Sequence, residues 1–99
     1  VAMGPGKAEL LAHIAATGSI TAAARKMKMS YRRAWLLIAD LNGCFKTPVV
    51  ETAKGGKGGG GGAALTPFGA DLLKRYRAMM AKTQRAIAAD FKSVAEHLA

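Results

Sequence analysis

Apolar residues recur at three- to four-residue spacing through most of this chain, and that pattern alone divides it into elements. From Lys7 they fall at Leu10, Leu11, Ile14 and Ala15, the stripe of an amphipathic helix whose first turn Pro5 suits. Gly18 in "TGS" is the natural terminator, and Ser19 is the N-cap of the next helix. That helix, "ITAAARKM", turns Ile20, Ala23, Ala24 and Met27 inward, and its alanines permit close approach to a neighbour. A tight "KMS" turn leads to Ser30, which caps "YRRAWLLIADLN". There Ala34, Leu37, Ile38 and Leu41 face the core, and Asn42-Gly43 is expected to close the helix.

The pattern then changes. "TPVVETA" (47–53) is β-branched and contains a proline, and "AALT" (63–66) reads as a return strand, so 48–66 is a hairpin with a long tip. Thr66-Pro67 resets the chain as N-cap and first-turn proline. Beyond it Leu73, Tyr76, Met80, Thr83, Ile87, Phe91, Val94 and Leu98 form one stripe. A helix of about 30 residues spans about 45 Å. The head before it is too small to cover that stripe, so much of the stripe should meet another chain. Helix, short helix, tight turn, helix, hairpin, long helix is the order of a winged helix-turn-helix. The expected fold is therefore mainly α with a small β-hairpin wing, residues 1–66 forming the head and 67–99 a dimerisation helix.

Charge sharpens this picture. Fifteen Lys and Arg stand against six Asp and Glu, for a net charge of +9. Residues 25–57 hold eight basic and two acidic side chains, which concentrates the excess into a patch. A polyanion, nucleic acid first, is the implied partner. The longest uncharged span, "LLAHIAATGSITAAA", has 15 residues and polar groups inside, too short for a bilayer. With Cys44 the only cysteine there is no intramolecular disulfide, and a cytoplasmic protein without membrane contact is the simplest expectation.

The helix-turn-helix at 19–41 carries the chemistry. Its second helix must present its N-terminal residues to base edges in the major groove. Ser30, Tyr31, Arg32 and Arg33 occupy those positions. Arginine there can bond guanine O6 and N7 with two donors, and Tyr31 can stack on a sugar or touch a thymine methyl. Ser19 and Thr21 can reach phosphates beside free backbone N–H groups, and Lys26 and Lys28 add charge along the backbone. Trp35 lies off the core face and is expected to pack on the wing or the long helix, with a direct DNA contact as the alternative.

Seven of the twelve glycines crowd into 55–62 together with Lys57, with Lys54 just before. As a phosphate loop the segment fails, because "GGKG" puts Gly58 where a hydroxyl must meet Mg²⁺. Gly56, Gly58 and Gly61 fit a dinucleotide fingerprint only as any glycine run would, and no helix follows directly. A DNA-clamping wing is the better reading, its backbone lying close to the duplex and Lys54 and Lys57 neutralising phosphates. His13 and His97 have no metal-ligand spacing, Cys44 reads as a buried structural thiol, and the scattered carboxylates suggest no enzyme.

"GSITAAARKMKMSYRRAWLLIADLN" followed by "VVETAKGGKGGGGGAALTPFGADLLKRY" resembles the N-terminal DNA-binding domain of the ModE family of molybdate-dependent bacterial transcriptional regulators. The shorter "GSITAAA" element is also similar to LysR-type winged helix-turn-helix proteins. The resemblance implies that Ser30 to Arg33 start the recognition helix, Lys54 to Gly62 form the wing, and the helix from Pro67 pairs with its twin. It implies a homodimer on a palindromic double-stranded DNA operator, a repressor tied to molybdenum metabolism. The alternative is a sequence-indifferent nucleic-acid or chromosome-organising protein. That family continues into a C-terminal molybdate-binding region, so no cofactor is expected within residues 1–99.

Overall fold

The computed structural model describes residues 2–53 and 62–99. Four helices and one hairpin follow in the order α1 (Pro5–Thr17), α2 (Ile20–Lys26), α3 (Tyr31–Cys44), β1 (Val50–Thr52), β2 (Ala63–Leu65) and α4 (Pro67–Ala95). This is the winged helix-turn-helix architecture with a long final helix.

Three of the four helices, α2, α3 and α4, start where a side chain supplies an acceptor to a first-turn N–H. Ser19 accepts from the N–H of Ala22, Ser30 from Arg33 and Thr66 from Gly69. Gly18 ends α1 in the left-handed region at φ 67°, a conformation glycine adopts without Cβ strain. Its carbonyl then accepts from the N–H of Ala63, tying the α1–α2 corner to β2.

The core gathers Leu10, Leu11 and Ile14 of α1, Ala23 and Ala24 of α2, and Ala34, Ile38 and Leu41 of α3, with Val49, Ala63 and Leu73 closing it. Ala15, expected inside, is exposed; Ala8, two turns earlier on α1, is buried instead. The hairpin is antiparallel, pairing Val50 with Leu65, Glu51 with Ala64 and Thr52 with Ala63. A further bond from Ala53 N–H to the Gly62 carbonyl extends it outward. The regular strands are thus shorter than the β-branched run suggested.

Two more expectations are corrected. Helix α3 does not close at Asn42-Gly43 but runs on to Cys44, because Asn42 is used elsewhere. Its Oδ1 accepts from the N–H groups of Val49 (2.7 Å) and Val50 (3.2 Å), and its Nδ2 donates to the Val50 carbonyl. The Cys44 thiol is exposed rather than buried, since the last turn of α3 leaves the core behind.

The first turns of α4 belong to the head. Thr66 is buried, its hydroxyl donating to the Pro48 carbonyl. Gly69 sits so close to the chain at Val49 that an added Cβ would lie 2.0 Å from that carbonyl oxygen. Phe45 and Phe68 meet edge to face, 5.4 Å between ring centres. After Tyr76 the helix leaves the head and the molecule stretches to 59 Å. Met79, Met80, Ile87, Phe91 and Val94 are exposed along it, and Leu98 lies beyond its end.

Candidate nucleic-acid interface

Helices α2 and α3 are joined by a turn with a specific geometry. The N–H of Lys28 bonds the Arg25 carbonyl and that of Met29 bonds the Ala24 carbonyl, the paired bonds of a Schellman ending. That ending needs a left-handed residue, and here a lysine supplies it, with Lys28 at φ 55°. Met29 packs back on the core, while Lys26 and Lys28 stay exposed on either side of the turn.

The start of α3 is open to solvent. Tyr31, Arg32 and Arg33 are all exposed, and among the described residues neither arginine is held in an ion pair. Ser30 Oγ is committed as an acceptor to Arg33 N–H at 3.1 Å, which leaves its own hydrogen free to donate to a phosphate. The same holds for Ser19, whose cap bond to Ala22 is 3.1 Å long. Ser19 and Thr21 stand at the start of α2, next to the outer end of the hairpin ladder, where the Gly18 carbonyl accepts from Ala63. They are therefore separated from the Ser30–Arg33 cluster by the length of α2, about 10 Å. Lys54 and Lys57, the expected wing-tip cations, lie outside the described residues.

Two features of this surface go beyond the residues singled out from the sequence. Lys7 of α1 reaches Asp40 of α3, Nζ to Oδ2 at 2.5 Å, across 33 residues of sequence. The hydrogen bond and charge of Lys7 hold the Asp40 carboxyl below the ordinary carboxylate range, so it is ionised and paired at neutral pH. An open groove of about 440 Å³ runs between that pair and Arg32, Arg33 and Leu36. The second feature is apolar. Trp35, expected to pack on the wing or α4, is 47% exposed and outside the core, and Leu36 is 56% exposed. The core face of α3 is centred on Ala34, Ile38 and Leu41, and these two side chains point away from it. The signal was available for Leu36: four residues after Arg32, it shares that residue's face.

No helix of the described residues is long and apolar enough to cross a membrane, and they contain no group of metal-ligating side chains. What remains is a capped helix with free cations at its start, a basic turn before it and a hairpin beside it. Such a surface is suited to the major groove and flanking phosphates of a duplex.

Comparison with known proteins agrees. The family of bacterial regulatory helix-turn-helix proteins, lysR family, matches residues 6–70. The chain is 44% identical over 92 residues to the molybdenum-pterin-binding protein MopB of Rhodobacter capsulatus, covering 93% of this chain and 34% of that protein. It is 42% identical over 82 residues to the DNA-binding transcriptional dual regulator ModE of Escherichia coli, covering 83% and 31% respectively. The molybdenum transport protein ModE of Herbaspirillum seropedicae is 44% identical over 68 residues, 69% of this chain and 25% of that one. The chain thus spans about a third or less of the length of these relatives.

Proposed function

This chain belongs to the LysR-type family of bacterial regulatory helix-turn-helix proteins, and we propose that it is the DNA-binding part of a ModE-like transcriptional regulator. It acts in the cytoplasm as a repressor, binding a palindromic operator as a homodimer in the control of molybdenum metabolism. The observation that carries this reading is the start of α3, where Arg32 and Arg33 stand exposed and without ion pairs among the described residues, behind a capping serine. Arg32 and Arg33 take base edges, with Tyr31 beside them. Ser19, Thr21, Lys26, Lys28 and Ser30 hold phosphates. Lys54 and Lys57 clamp the flanking backbone as the wing, and residues 67–99 pair with the same helix of a second copy.

No effector is assigned to these residues. A tetrahedral oxyanion such as molybdate needs a closed set of donors. The cations around the α3 groove instead line an open surface that also carries the Asp40 carboxylate. Effector binding therefore belongs, in this reading, to other parts of the regulator.

The test is a fluorescence-anisotropy titration against the upstream region of the protein's own gene and a scrambled duplex of equal composition. A preference of 10³ or more that persists at physiological salt is the expected result. Equal binding to both, lost as salt rises, would instead favour a sequence-indifferent DNA-binding protein.

A further inference from the structure

Resting on the placement of α3 in the major groove, we infer that Leu36 is a specificity-determining residue that reads the 5-methyl group of a thymine within about two base pairs of the guanine read by Arg32. Helix α3 has a clear division of faces. Ala34, Ile38 and Leu41 are buried, while Arg32, Leu36 and Asp40 follow one another at four-residue intervals on the opposite side. Two of these three are accounted for by charge: Arg32 has no ion-pair partner among the described residues, and Asp40 is neutralised by Lys7. Leu36 lies between them with 56% of its surface exposed, in the groove also bordered by Arg33.

A lone exposed leucine is ordinary. This one is not isolated from function, because any pose that brings Arg32 to a base edge brings Leu36 to the floor of the same groove. It is one helical turn, about 6 Å, further along. That advance corresponds to about two base-pair steps at ~3.4 Å each. The major-groove floor offers donors and acceptors at every base pair and a single kind of apolar group, the C5 methyl of thymine. A leucine has nothing to exchange with the former and can bury the latter. The Lys7–Asp40 pair also restrains the carboxylate one turn beyond, which would otherwise repel the phosphate backbone on this side.

The prediction has atomic resolution. Duplexes are first selected from a random pool by the intact chain. Each thymine of the preferred half-site is then replaced in turn by deoxyuridine, which removes one methyl group and leaves all base pairing unchanged. Binding is measured by anisotropy for the wild type, Leu36→Ala and Arg32→Ala. Losing contact with one methyl should weaken the wild type about fourfold per half-site at one thymine position, lying within about two base pairs of a guanine. At that position Leu36→Ala should be indifferent to the substitution, whereas Arg32→Ala should remain sensitive. Circular dichroism would confirm that Leu36→Ala, altered on an exposed face, keeps its fold.

Leu36→Ala showing the same methyl sensitivity as wild type would overturn the assignment while leaving the regulator reading intact. So would the absence of any sensitive thymine. Failure of the selection to enrich a preferred sequence would remove the regulator reading and this inference together.

Discussion

At the residue scale, Asn42 joins α3 to the hairpin through three hydrogen bonds from one side chain. It takes the place of a third strand, satisfying the backbone of Val49 and Val50, both of which are buried. Asn42→Ala would leave two buried N–H groups without an acceptor, each worth about 1–3 kcal/mol. A loss of roughly 2–6 kcal/mol is expected, seen as a lower urea midpoint at unchanged slope. Asn42→Asp keeps both acceptor bonds but sets a carboxylate against the Val50 carbonyl, and its loss should fall between. Lys28 makes the opposite case. Its left-handed backbone costs an L-residue about 1–2 kcal/mol, and glycine would relieve that at about 0.5–1 kcal/mol of extra chain entropy. Lys28→Gly should therefore stabilise the fold by about 0.5–1 kcal/mol. If Lys28 faces phosphate, the same change should lower DNA affinity and reduce the salt slope by about one. A variant more stable but equally tight would show that Lys28 contributes only to the turn.

At the element scale, the question is what covers α4. Leu73, Met80, Ile87 and Val94 repeat every seven residues, but only Leu73 is buried by the head. Ile87 is 37% exposed and Phe91 65%. The proposed pairing with a second copy would remove this stripe from water, and two-fold symmetry would count each residue twice. Ile87→Asp should lose the remaining burial of two isoleucines, roughly 1–2 kcal/mol of dimer stability, and set two like-charged carboxylates in the interface as a further cost. Sedimentation equilibrium should then find monomers with an unchanged far-ultraviolet spectrum; an unaltered dimer would place the interface elsewhere. Elements were also where sequence spoke most clearly. The three capping side chains and the glycine stop are local signals, each satisfied within three or four residues, and each was readable as it stands. Asn42 was not, because its side chain is spent on residues seven and eight positions on instead of on its own helix end. Trp35 and Cys44 failed for a related reason. Periodicity says which face of a helix is apolar, but not how much of that helix a neighbour reaches. The same limit hid Lys7, whose partner Asp40 is fixed only once α1 packs beside α3.

At the scale of the whole molecule, charge and symmetry have to act together. The described cations of the patch, Arg25, Lys26, Lys28, Arg32, Arg33 and Lys46, are all exposed. Exposed charge confers little stability on a fold, but it neutralises phosphates and releases counterions when a duplex binds. A dimer making about 6–10 phosphate contacts would lose about 10³–10⁵ in affinity between 50 and 200 mM salt. The Ile87→Asp monomer, with one copy of the surface, should show about half the slope of log affinity against log salt. Within that total, the two kinds of contact should separate. Arg32→Ala should cost about 1–3 kcal/mol on the preferred sequence and much less on random DNA, since bidentate base contacts exist only in register. Lys57→Ala should weaken both duplexes alike and reduce the slope by about one, because every sequence presents the same phosphates. Titrating both variants and the wild type on both duplexes at several salt concentrations gives all of these quantities at once. Equal losses on the two duplexes for Arg32→Ala would place that guanidinium on the backbone, and the start of α3 would then be an electrostatic contact with the reading of bases left to other side chains.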